Sequence, residues 1–107
     1  MSNIEKLQLG YLRIVNDILP AIAKNRNFPV HLNHCFGRIL LDALFCDCWY
    51  DHIDRKKGPA YKQLTEVQLK LVIEIAEKIV ASDDYYIQFL NNQSLKIRKL
   101  RKAKMVK

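Results

Sequence analysis

Between His31 and Ile53 the chain carries its densest run of apolar side chains. At about 100° of rotation per helical residue, Phe36, Ile39, Leu40, Leu41, Ala43, Leu44, Phe45, Cys46, Trp49 and Tyr50 spread around nearly the whole circumference, leaving only Asp47 and Asp51 as an outward edge. A helix apolar on almost every side must be covered by other elements. This stretch, with Asn33 as its N-cap, is therefore expected to be a central, largely buried helix reaching to about Ile53.

The flanking segments read as the helices that cover it. Ile4, Leu7, Tyr11, Ile14 and Ile18 recur at spacings of three and four, widened by Leu12, Val15, Leu19 and Ile22. They predict an amphipathic helix from about Asn3 to Leu19 that continues or kinks through Pro20 to about Lys24. The polar run 25–29 ends at Pro29, and the residue before a proline is driven out of helical space, so a turn follows. Charge, glycine and proline coincide in Asp54-Arg55-Lys56-Lys57-Gly58-Pro59, which reads as a loop.

Thr65 and Gln68 then form a Thr-x-x-Gln capping box, with Leu64 and Leu69 at the two staple positions. The helix they open runs to about Ala81. Leu69, Val72, Ile73, Ala76, Ile79 and Val80 form one face of it, and Val67, Leu71 and Ile75 a narrower second face that calls for another neighbour or a partner. Ser82-Asp83-Asp84 can cap a last helix through Tyr85, Tyr86, Phe89 and Leu90, which Asn91-Asn92-Gln93-Ser94 should weaken. The fold class expected is all-α, a small bundle or array of about four helices in residues 1–95, with a basic C-terminal tail in residues 96–107.

Length and composition agree with this plan. At 107 residues, half of them hydrophobic and with only three glycines and three prolines, the chain fits one domain with its own core and long elements. Cys35, Cys46 and Cys48 are an odd, unevenly spaced set that suits free thiols in a reducing compartment. The opening Met1-Ser2-Asn3-Ile4-Glu5-Lys6 lacks the basic-then-apolar order of a secretion signal, and no apolar run approaches the roughly 20 residues of a transmembrane segment. The expected setting is intracellular and cytoplasmic, or nuclear in a host that has a nucleus.

The charge is unevenly placed. Residues 1–95 hold eleven Lys and Arg against eleven Asp and Glu, so the net charge of +7 comes from Lys96, Arg98, Lys99, Arg101, Lys102, Lys104 and Lys107. A terminal segment of this kind suits contact with nucleic acid or another polyanion, and equally suits a solvated terminus. Ile97 and Leu100 are helically spaced, but Lys104 interrupts their stripe, which makes the segment a poor membrane anchor.

One polar constellation stands on the central helix. His34, Arg38, Asp42, Trp49 and His52 fall within about 80° of one another on a helical wheel. Arg38 is suited to hold an anionic ligand, a histidine to move a proton, and Asp42 to fix a tautomer. The plainer reading is an i,i+4 pair of Arg38 with Asp42, or a structural polar network. Trp49, Tyr50 and Tyr61 offer faces for a planar ligand or simply for the core.

Neither a metal nor a cofactor is expected. Cys46 and Cys48 would point about 160° apart on a helix, and Cys48 with His52 supplies only two ligands. Isolated Gly10, Gly37 and Gly58 make no phosphate-binding loop, and neither a nucleophile elbow nor a His-Glu-x-x-His pair occurs. The function expected is a non-enzymatic helical binding or adaptor protein, docking on a protein partner or on itself, with the basic end contacting a polyanion. The alternative is a small ligand-binding protein or enzyme built on the His34, Arg38 and Asp42 stripe.

Overall fold

The computed structural model describes residues 2–105, and every regular element among them is helical. In chain order the α-helices are α1 (Asn3–Arg13), α2 (Leu19–Ala23), α3 (Asn33–Phe45), α4 (Glu66–Ala81) and α5 (Asp84–Met105). The first two are one rod. Residues 14–18 between them form a wider π turn, in which the Leu19 N–H reaches back to the Ile14 carbonyl. Pro20 has no N–H to donate, and its ring would press on the carbonyl four residues earlier. The wide turn absorbs that conflict and carries the helix through to Ala23.

Counted this way the protein is an all-α assembly of four helices. α3 lies at the centre as its composition requires, packed against α4 on one side and α5 on another, while α1 lies along α4. Phe36, Ile39 and Leu40 of α3 meet Leu69, Val72 and Ile79 of α4 and Ile87 of α5 in a core from which solvent is excluded. Among the described residues no helix is long and apolar enough to cross a membrane.

A single arginine ties the ends of three helices together. Arg26, just past α2, donates to the carbonyls of Val80 and Ser82 at 3.1 and 2.6 Å and pairs with Asp84 at 2.8 Å. It thus satisfies carbonyls left open at the end of α4 and holds the first turn of α5. Asp83 caps α5 by accepting the Tyr85 N–H. The capping box of α4 is formed in both directions, Thr65 N–H to Gln68 Oε1 at 2.9 Å and Gln68 N–H to Thr65 Oγ1 at 3.1 Å. Leu64 and Leu69, the staple residues, are both buried.

The central helix is shorter than its apolar pattern suggests. It stops at Phe45 because Cys46 adopts a left-handed conformation, with φ 52°, and the Asp47 N–H closes back onto the Asp42 carbonyl at 3.2 Å. The chain then reverses through short 3-10 turns at Trp49–Asp51, Arg55–Lys57 and Ala60–Lys62. Gly58, at φ 125°, makes a bend that side-chain-bearing residues rarely adopt. Gln63 braces this segment by donating to the carbonyls of Asp54 and Gly58 and accepting the Asp54 N–H.

Residues 96–105 also differ from the expected tail. They continue α5 as helix, so the basic residues acquire fixed phases relative to the body.

Candidate functional site

Where α5 crosses α3, the seam between them is polar. Asp42 is 1% exposed, and its carboxylate accepts the Trp49 N–H at 3.0 Å, the Ser94 hydroxyl, and two N–H groups of Arg98 at 3.1 and 3.3 Å. Arg38, one turn before Asp42 on α3, donates to the Ser94 hydroxyl and to the Asn91 side-chain carbonyl, each at 2.8 Å. Ser94 relays between them, receiving from Arg38 and giving to Asp42. The seam therefore holds two guanidiniums but one carboxylate, which pairs with Arg98, and keeps one net positive charge. That charge belongs to Arg38, whose two partners are both neutral.

Outward from the seam, Tyr50 gathers arginines. The guanidinium of Arg55 stands 3.6 Å from its ring centroid, that of Arg98 4.3 Å and that of Arg101 5.7 Å. Cation–π attraction of this kind contributes about 0.5–2 kcal/mol per pair. Arg101 also pairs with Asp51 at 3.1 Å. Burial alone would lower the pKa of Arg98, but hydrogen bonds to Asp42 and Tyr50 and the charge of Asp42 outweigh it and raise it, so this guanidinium is cationic at any ordinary pH. The Arg55–Lys57 turn, which reads in the sequence as a bare loop, is thereby set beside the basic half of α5.

On the other side of Arg38 a cleft of about 520 Å³ opens between α1, α3 and the 49–61 segment. Its floor and walls include Tyr11, His34, Gly37, Arg38, Trp49 and Tyr61, and no Asp or Glu lines it. Tyr11 is 5% exposed, and its hydroxyl oxygen lies 3.8 Å from where a β-carbon on Gly37 would stand. Burial pushes its pKa up to about 12, so it remains a protonated donor.

The five residues of the predicted stripe are thus divided. His34, Arg38 and Trp49 line the one cleft, though Trp49 arrives there after the chain has left α3. Asp42 lies behind them in the seam. His52 is apart from all four: its ring stacks on Phe45 at 4.7 Å and pairs with Asp47 at 3.2 Å. The Cys48 N–H and then His52 hold the Asp47 carboxyl below its usual pKa. The wheel that grouped Trp49 and His52 with His34 presumed a helix reaching about Ile53, but α3 ends at Phe45.

No family model, curated protein or solved structure matches the chain.

The chemistry of the site is accordingly read from its own groups. Among the described residues, no three of His, Cys, Asp and Glu come together as a metal site. Sequence reading did not find the roles of Tyr11, Asn91, Ser94 and Arg98. A signal for three of them exists, because Ile87, Asn91, Ser94, Arg98 and Arg101 follow one another at steps of four, three, four and three. The inward stripe of α5 simply changes from apolar to polar after Leu90.

Proposed function

We propose that this chain is a non-enzymatic helical binding protein whose basic surface contacts nucleic acid or another phosphate-bearing polyanion. The observation that carries this reading is the position of Lys96, Lys99, Lys102 and Lys104. All four are exposed on α5, and none forms a salt bridge among the described residues, though the charge of Lys104 helps hold down the Asp47 carboxyl. Lys56 and Lys57, exposed on the turn that Arg55 anchors to Tyr50, extend the same surface. Asp47 and Asp51 border it, but each is already engaged, by His52 and by Arg101. Lys107, part of the same basic run, lies outside the described residues.

Exposed lysines held at fixed helical phases and not locked in salt bridges suit contact with phosphates, where each neutralised phosphate releases a counterion. The apolar side chains that α4 leaves uncovered, Val67 at 66% and Leu71 at 47% exposure, support a protein contact in addition, with a partner or a second copy. Molecular mass in solution tests that second half.

For the polyanion contact, the experiment is binding of a labelled single-stranded oligonucleotide across a salt series. Wild type is compared with a variant carrying Gln at 96, 99, 102 and 104. Each lysine that meets a phosphate should lower the slope of log affinity against log salt by about 0.7–0.9, so the variant should lose most of its salt dependence. An unchanged slope would sink the proposal. Truncation after Leu95 is the wrong instrument, since it also removes Arg98 and leaves the buried Asp42 carboxylate unpaired.

A further inference from the structure

We propose that the cleft between α1, α3 and the 49–61 segment is a binding site for a small planar aromatic carboxylate, held at its charged end by Arg38 and the Tyr11 hydroxyl. Four observations converge on that class of ligand. The first is a hydroxyl with no protein partner. The Tyr11 hydroxyl has no partner among the described residues, yet no fully occluded side-chain oxygen or nitrogen there lacks one, so its free edge opens to the cleft that Tyr11 lines. A tyrosine hydroxyl so placed can donate to a ligand atom in the cleft in place of water.

The second is charge. Arg38 spends two of its five N–H donors on neutral Asn91 and Ser94 and makes no contact with a carboxylate among the described residues. With no acid on the cleft wall, the site has one uncompensated positive charge, which matches a monoanion. A phosphate dianion would ask for a lysine or a set of backbone N–H groups that the cleft does not present. The planar guanidinium fits the two oxygens of a carboxylate.

The third is shape and lining. Trp49 and Tyr61 offer aromatic side chains, and Leu12, Val15, Leu41, Pro59 and Ala60 complete an apolar wall. About 520 Å³ falls within the range of small-molecule sites, which are mostly apolar with a few convergent polar groups. The fourth is Gly37, which follows His34 by three residues and immediately precedes Arg38. Its missing side chain leaves the Tyr11 hydroxyl uncovered on the α3 side.

This site is separate from the lysine surface, and its test has its own reporter, because Trp49 is the only tryptophan in the chain. The indole N–H signal of Trp49 and the backbone signal of Gly37 are followed by NMR during titration with naphthoate, with neutral naphthamide and with acetate. Naphthoate should give a saturable shift in the millimolar range or below, naphthamide should bind about tenfold or more weakly, and acetate should leave the indole signal unmoved.

Arg38→Gln should weaken naphthoate by about tenfold or more. Arg38 also holds Ser94, so Tyr11→Phe provides a measurement independent of any loss of fold in that variant. It removes only a hydroxyl without a protein partner, and should weaken naphthoate about fivefold while the helical circular dichroism is kept. Absence of a saturable shift, equal binding of naphthoate and naphthamide, or unchanged affinity in Tyr11→Phe each overturns the proposal. The lysine-to-Gln variant at 96, 99, 102 and 104 should bind naphthoate as wild type does, which separates this site from the polyanion surface.

Discussion

Arg98 and Lys99 are neighbours in sequence, carry the same charge and belong to the same helix, yet they live in opposite surroundings. Arg98 turns inward, 3.1 Å from a carboxylate that is 1% exposed, and packs on the Tyr50 ring. Lys99 is exposed and has no ionic partner among the described residues. One helical step of 100° separates a charge that holds the fold from a charge available to a ligand. A basic segment judged by its net charge alone conceals this division, and helical phase reveals it.

The largest expected effect tests the inward half. Arg98→Ala leaves the Asp42 carboxylate buried without its cation, and loss of one partner of a buried pair costs about 3–5 kcal/mol. Chemical denaturation should show a loss of that order, and none of comparable size for Lys99→Ala. If charge rather than side-chain packing is the cause, adding Asp42→Asn to Arg98→Ala should restore about 1–3 kcal/mol, because the amide oxygen can still accept the Trp49 N–H and the amide NH2 can donate to the Ser94 hydroxyl without a stranded charge. Lack of any recovery would assign the loss to packing of the Arg98 stem against Tyr50.

A smaller effect is expected at Ser94, which touches both charges of the seam. Ser94→Ala removes the acceptor of one Arg38 N–H and the hydroxyl donor to Asp42, for about 2 kcal/mol. The same substitution at the exposed neighbour, Leu95→Ala, should cost well under about 1 kcal/mol. Comparable losses at the two positions would mean that the seam contributes no more than any other helical surface.

How much of this was legible differs by element, and the reasons are physical. α4 was readable to its ends because Thr65 and Gln68 announce a cap locally and Ser82 stops the helix. The end of α3 was not, because neither glycine nor proline stands at Cys46. Its left-handed turn closes locally on the Asp42 carbonyl, and the contacts beyond it, Trp49 N–H on Asp42 and His52 on Phe45, form only after the chain reverses. α5 ran past Asn91-Asn92-Gln93-Ser94, in which the asparagines and the serine are weak helix formers, because Asn91 and Ser94 face Arg38 and find partners there. In the candidate site, His34 and Arg38 were legible from their spacing of four on one helix. Arg98 was not, since its partner lies 56 residues away in sequence and no local pattern encodes that meeting.

Cys46 allows the cost of that unannounced helix end to be measured. A residue with a side chain in the left-handed region costs about 1 kcal/mol relative to glycine, and Cys46 is exposed, so its thiol contributes little packing in return. Cys46→Gly should therefore stabilise the protein by about 0.5–1 kcal/mol without altering the Asp42 seam one turn earlier. Destabilisation would show that the thiol, 3.6 Å from the Ala43 carbonyl, holds the helix end more firmly than its exposure suggests.

The smallest expected change in stability completes the comparison between the two faces of α5. Replacing Lys96, Lys99, Lys102 and Lys104 by Gln removes four exposed charges without stranding any carboxylate, and exposed substitutions of this kind shift stability by no more than about 0.5 kcal/mol each. The sign should favour the variant slightly at low salt, because lysines crowded on one helical segment repel one another, and the difference should fade as salt screens them. Arg98→Ala should behave oppositely, its loss persisting in high salt because the pair is shielded from ions. A destabilisation of the lysine variant that matched Arg98→Ala, or that resisted salt in the same way, would erase the distinction and return all the basic residues to a structural role.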